Sequence, residues 1–173
     1  MVDYKEFNKP DLLSEFISEL DQDHGITFYV YQIKRKFEVH VAYWMQGRKS
    51  LNVVNAYRKL AHLDPIEEPQ NIIVTWTWVS DHMEGNAFDG CIMKDKECIW
   101  DLKADTNDNH IDDYKEVALL AKKKGLISWI DYPAGHEMHW DRTHYSIPKK
   151  ENTVYNAPIT LDNIKKITIE LGR

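Results

Sequence analysis

Apolar positions recur at three- and four-residue intervals in some stretches of the chain and at two-residue intervals in others, a division that predicts mixed helices and strands. From Asp11 to Leu20 the residues Leu12, Leu13, Phe16, Ile17 and Leu20 form one helical stripe, broken by Asp21-Gln22-Asp23-His24-Gly25. Ile26 to Tyr31 and Phe37 to Tyr43 are rich in β-branched and aromatic residues and predict two strands, joined as a hairpin through Lys34-Arg35-Lys36. Leu51, Val54, Ala56, Tyr57 and Leu60 predict a second helix, with Ser50 placed to cap it. Asp64 to Pro69 is loop. Asn71 to Val79 alternates Ile73, Thr75 and Thr77 against Val74, Trp76 and Trp78, which predicts a strand, with Ala87 to Ile92 as its partner.

After the polar, acidic stretch from Asp101 to Asp113, Ile111 to Lys124 predicts a helix stopped by Gly125. Leu126 to Ile130 predicts a strand, Tyr132 to Trp140 a loop and Arg142 to Ile147 a last central strand. Leu161 to Leu171 fits either a helix or a strand. Helices and antiparallel-looking strands mix without regular βαβ alternation. The expected class is therefore α+β, a central, mainly antiparallel sheet flanked by helices.

At 173 residues, 43% hydrophobic and 29% charged, the chain is expected to form a single domain, 1–173, with a full core. Its formal net charge of -6 argues against nucleic acid as the main partner. The short basic clusters Lys34-Arg35-Lys36 and Lys122-Lys123-Lys124 read as solvated surface. No run approaches the roughly 20 apolar residues of a membrane span. The N-terminus, Met1-Val2-Asp3-Tyr4-Lys5-Glu6, has no apolar signal region, so the expected site of synthesis is the cytoplasm. Cys91 and Cys98, the only cysteines, match no zinc-ribbon or redox spacing and read as two reduced thiols.

The chemistry concentrates in two places. Ser80-Asp81-His82-Met83-Glu84-Gly85-Asn86-Ala87-Phe88-Asp89 sets an imidazole and a carboxylate on either side of a Gly and an Ala. Trp140-Asp141-Arg142-Thr143-His144 adds a second imidazole with a carboxylate before it. Two His and one Asp can ligate a zinc ion and leave a fourth position open. Asp141 is then available as a base. Gly85 permits a tight bend between His82 and Asp89, Ala87 leaves space, and Ser80 shares a face with His82 if the strand continues, its hydroxyl offered to a substrate carbonyl or carboxylate.

For the third ligand His136, Glu137, His139 and His144 compete. His136-Glu137-Met138-His139 falls short of the helical His-Glu-x-x-His signature, because Trp140 stands where the second His belongs. His144 lies in a β-type run with Asp141 three residues earlier and is the expected ligand, with His139 the alternative.

With these residues in place, the chain resembles the zinc D-Ala-D-Ala carboxypeptidases and L-alanyl-D-glutamate endopeptidases, peptidoglycan peptidases of the hedgehog/DD-peptidase fold. Ser80, His82, Gly85, Ala87 and Asp89 match every fixed place of that family's Ser-x-His-x-x-Gly-x-Ala-x-Asp motif, and Asp141 and His144 match its later acidic residue and His. Gln46-Gly47-Arg48-Lys49-Ser50 is similar to its upstream Gly-x-Arg-Ser segment. The resemblance covers about residues 39–147. Departures are Thr143, where the family often has Pro, and Ser146, where it often has an acidic or amide residue.

The resemblance implies a zinc-dependent peptidase cutting stem peptides, in the manner of a phage endolysin that waits in the cytoplasm and acts on the wall after release. It implies His82, Asp89 and His144 as metal ligands, Asp141 as catalytic base, Ser80 as a substrate contact, and Arg48 as the cation beside a developing oxyanion. L-Ala–D-Glu endopeptidase activity is the first expectation. D-Ala-D-Ala carboxypeptidase or dipeptidase activity and a catalytically idle zinc-binding domain are the alternatives. Peptidoglycan stem peptides are the expected partner, with no nucleic acid, membrane or obligate protein partner. Trp76, Trp78, Trp140 and Tyr145 read as core or wall.

One further pattern stands apart. Asp105, Asn107, Asn109, Asp113 and Glu116 follow the oxygen-ligand spacing of a calcium loop, with His110 where Gly makes the sharp turn and Asp112 where an apolar residue packs. A solvated acidic loop leading into a helix N-terminus explains the same residues more simply.

Overall fold

The computed structural model describes residues 2–139 and 141–148. The expected element at Leu161 to Leu171 lies outside the described residues. The described residues divide into two compact units, 2–34 with 84–148, and 35–83. Among the described residues no helix is long and apolar enough to cross a membrane.

The class is α+β, with four α-helices and a four-stranded antiparallel sheet among the described residues. The first unit holds α1 (Pro10–His24), β1 (Phe28–Gln32), β2 (Ala87–Lys94), β3 (Glu97–Ile99), α4 (Asp113–Lys123) and β4 (His144–Ser146). Pro10 opens α1 at a position where its missing N–H is not needed, and Gly25, at φ 66°, closes it in the left-handed conformation. The predicted stripe buries Leu13, Phe16 and Leu20, while Leu12 and Ile17 pack at its edge.

β2 is the centre of the sheet. β1 pairs along one edge, with Phe28 opposite Ile92 and Val30 opposite Gly90. β4 and β3 share the other edge, with Asp89 opposite His144 and Lys94 opposite Glu97. The core lies under this sheet, where Phe88 and Tyr145 stack at 5.3 Å and Phe7 meets Phe88 edge-on at 5.4 Å. Tyr145 is fully buried, as its packing reading requires. α4 closes the core with Tyr114, Val117, Leu120 and Ala121.

The β2–β3 hairpin corrects the reading of the cysteines. Asp95 and Lys96 take positive φ of 52° and 70°, the conformation of a two-residue hairpin loop that matches strand twist. That turn brings Cys91 and Cys98 to a Cα separation of 5.7 Å, and they form a disulfide rather than two reduced thiols. Comparison with zinc and redox spacings alone overlooks this, because the pairing follows from the hairpin.

In the second unit, α2 (Phe37–Met45) stands where a strand was expected, so no hairpin follows β1. Its β-branched and aromatic residues favour a strand locally, but His40, Val41 and Ala42 are buried on a helix that packs against α3 (Leu51–Leu60), and that packing overrides propensity. Ser50 occupies the N-cap position of α3 without a side-chain capping bond.

The stretch from Asn71 to Val79 is not a strand either, and β2 takes its partners elsewhere. The alternation survives as burial only around Thr75, 7% exposed between Val74 at 48% and Trp76 at 57%, since Thr77 is exposed and Trp78 half-buried. Its carbonyls pair with side chains instead of a neighbouring strand: Thr75 O accepts from Arg48 Nη2 at 2.9 Å and Thr77 O bonds His40 Nε2 at 3.1 Å. Leu126 to Ile130 reduces to one bridge, Ile127 opposite Ser146, followed by a 3-10 turn, Trp129–Asp131.

Candidate metal centre

His82 sits in a 3-10 turn, Asp81–Glu84, and is 2% exposed. Its carbonyl accepts from Arg35 N at 3.0 Å. Beyond the turn, Gly85 has φ 71°, and a Cβ there would lie 2.5 Å from Glu6 O, so the bend needs glycine for its conformation and for the close approach. Asn8 anchors this bend: its N–H donates to Gly85 O at 3.0 Å, and its Nδ2 donates to Glu84 O at 2.8 Å and Asn86 Oδ1 at 2.7 Å. Nothing in the motif itself points to Asn8, which lies in the N-terminal segment ahead of α1.

Asp89 and His144 come from paired positions of β2 and β4. Side chains alternate along a strand, so Ala87 and Asp89 share a face, and Phe88 lies on the core side. The same alternation puts His144 and Ser146 opposite Tyr145. Asp89 Oδ1 lies 3.1 Å from His144 Nδ1.

His82, Asp89 and His144 each offer one ligand atom, and these atoms lie within 4.8 Å of one another. Two nitrogens and a carboxylate oxygen are donors suited to zinc, whose bonds of about 2.0–2.2 Å place tetrahedral ligands roughly 3.3 Å apart. The group could therefore hold one metal ion. The donors do not fix its identity on their own.

The competing histidines have other surroundings. His139 Nδ1 lies 3.0 Å from Tyr132 O, with its ring edge-on to Trp129 at 5.6 Å, and His136 stacks on Tyr132 at 4.7 Å. Among the described residues, neither belongs to the metal-ligating group.

Asp141 is exposed, and its Oδ1 accepts from the Thr143 hydroxyl at 3.0 Å. Ser80 is 5% exposed, and the strand that was to set its orientation is absent. Arg48 lies in the second unit, where its guanidinium stacks 3.8 Å over Trp44 and donates to Trp44 O and Thr75 O, each at 2.9 Å.

Tyr31 is the residue that pattern reading missed. The β1–β2 register slips between Val30 and Gln32, leaving Tyr31 on a bulge, a device that re-aims a side chain. Its phenol lies near Thr143, Asp89 and Asp141. Burial, then the Asp89 charge, push that phenol well above its ordinary range, so it stays protonated. The Thr143 hydroxyl and the Asp141 carboxylate are hydrogen-bonded to each other close to this phenol.

Compared with known protein families the chain matches no family model, and compared with curated proteins it matches none.

Proposed function

We propose that this chain is a zinc metallopeptidase that hydrolyses peptidoglycan stem peptides, with the L-Ala–D-Glu bond as its target and the hedgehog/DD-peptidase architecture as its fold. The observation that carries the reading is the meeting of His82, Asp89 and His144, from two motifs far apart in sequence, within 4.8 Å. Their residue types and spacings resemble those of the peptidoglycan peptidases, and Asp141 stands three residues before the last ligand.

His82, Asp89 and His144 hold the ion. Zinc bound there would supply Lewis acidity, polarising a carbonyl and lowering a water's pKa to about 7. Asp141 takes a proton from the attacking water and returns it to the leaving amine. The Thr143 hydroxyl donates to the Asp141 carboxylate, with the Tyr31 phenol close by. Arg48 is the proposed cation for the oxyanion, a role carried by the sequence resemblance alone. Ser80 is the proposed contact for a substrate carbonyl or carboxylate, on the same ground. In this reading the protein acts as an endolysin on the wall.

The test is mass spectrometry of purified peptidoglycan digested by the zinc-loaded chain, with a chelator-treated control. A metal-dependent new amine on D-Glu supports the proposal. Release of terminal D-Ala alone replaces it with the carboxypeptidase reading. The absence of any metal-dependent product replaces it with an idle zinc domain.

A further inference from the structure

Between β3 and α4 the first unit carries a second cluster of oxygen donors. Asp105, Asn107, Asn109, Asp113 and Glu116 occupy the first, third, fifth, ninth and twelfth places of one twelve-residue span, with the Ile111 carbonyl at the seventh. The backbone is wound as that spacing demands. Asp105 Oδ1 accepts from Asn109 N at 3.0 Å and its Oδ2 accepts from His110 N at 2.8 Å. His110, at the place where such loops turn through glycine, has φ 68°.

The observation that points to a ligand is the carboxylate of Asp113. The residue is 0% exposed. Its Oδ2 accepts from Thr106 N at 2.9 Å, while its Oδ1 is buried with no hydrogen-bond partner. Glu116, 8% exposed, lies beside it, with Oε2 3.0 Å from Asn107 Nδ2. Asp105 and Glu116 both act on Asp113 through their charges. Asp105 and Glu116 thus stand near Asp113, and Asp113 and Glu116 are buried. The basic groups near them are His24, 3.5 Å from Glu116, and His110, 4.0 Å from Asp105, and neither carries a permanent charge. Leaving a buried carboxylate oxygen unpaired is unfavourable, and a cation removes that penalty.

We propose that Asp105–Glu116 is a calcium site in which Asp113 Oδ1, the Asp105 and Glu116 carboxylates, the Asn107 and Asn109 side-chain oxygens and the Ile111 carbonyl surround one ion. The donors are all oxygen, which suits a hard cation and not zinc. Calcium accepts six to eight such ligands in irregular geometry, whereas magnesium demands a near-octahedral shell and keeps its waters. The site also ties two helices together, because Asn107 Nδ2 donates to His24 O at the end of α1 at 2.8 Å and Glu116 belongs to α4. It stands independently of the peptidase reading.

The test titrates CaCl2 into the full chain, freed of calcium and held at fixed zinc, by calorimetry and by thermal unfolding. The expected result is one calcium per chain, with Kd of about 10⁻⁵–10⁻³ M and a rise in Tm, and with magnesium at least about tenfold weaker. Asp113→Asn keeps the acceptor for Thr106 N and should weaken calcium binding at least about tenfold. Asp105→Asn, at a less buried position, serves as a second variant, and circular dichroism checks that both fold. A wild-type chain with no heat and no Tm shift at millimolar calcium overturns the proposal. So does binding that is unchanged in folded Asp113→Asn or Asp105→Asn.

Discussion

Asp89 Oδ1 lies 3.1 Å from His144 Nδ1, and the two residues are direct partners across antiparallel β2 and β4. Their neighbours Phe88 and Tyr145 are paired in the same register and stack at 5.3 Å in the core. One pair of strands therefore carries Asp89 and His144 on one face and the aromatic core on the other. The positions of Asp89 and His144 are fixed by the packing of Phe88 and Tyr145 beside them.

That coupling predicts two different losses of stability. Phe88→Ala removes a fully buried ring and should cost about 3–5 kcal/mol in urea unfolding. Tyr145→Phe removes the bond from its hydroxyl to Arg142 O, 3.1 Å long, and should cost about 1 kcal/mol while keeping the stacked ring. Equal effects from the two variants would show that the stack does not anchor these strands.

Asp141→Asn should keep the metal, because Asp141 is not one of the three grouped residues. It should lower kcat by about 10²–10⁴, the range of a removed general base. Peptide hydrolysis and zinc content measured on the same sample check this. Wild-type turnover in that variant would remove Asp141 from the mechanism.

Tyr31→Phe should keep zinc and the bulge but remove the phenol hydroxyl that lies beside Thr143 and Asp141. The expected effect is a fall in kcat of about tenfold with KM little changed, the size seen when a supporting hydrogen bond is lost. A fall in zinc content, or a change confined to KM, would contradict this positioning role.

Burial first, with the charges of Asp105 and Glu116 adding to it, holds the Asp113 carboxyl above its ordinary value of 3.8 in the calcium-free chain. A folded-state pKa above the unfolded value gives stability that is present below pH 3.8 and is lost as pH rises through the folded value. Without calcium, Asp113→Asn should therefore be more stable than wild type near neutral pH, and the difference should vanish in acid. Unfolding curves from pH 3 to pH 7 (both about half a unit apart in steps) test the sign.

The site was more legible than the fold around it. His82, Asp89 and His144 stood out because metal chemistry restricts residue type and spacing, whatever element carries them. α1 and α4 were legible because their stripes face a core. Phe37 to Met45 was not, since strand-favouring residues there are buried on a helix by α3. Asn71 to Val79 has strand-like alternation, but its carbonyls are satisfied by Arg48 and His40, which no local pattern reveals. The Cys91–Cys98 disulfide depends on a hairpin register. Tyr31 depends on a register slip between β1 and β2, and so was invisible in the sequence.

The central claim is that His82, Asp89 and His144 together hold one zinc ion. Metal content by mass spectrometry, after dialysis against metal-free buffer, tests it most directly in the wild type and in His82→Ala, Asp89→Ala, His144→Ala and His139→Ala. The account predicts about one zinc per chain in the wild type and in His139→Ala, and little in the other three, with folding confirmed by circular dichroism. Full zinc content in a folded His144→Ala chain, with loss in His139→Ala, would contradict it.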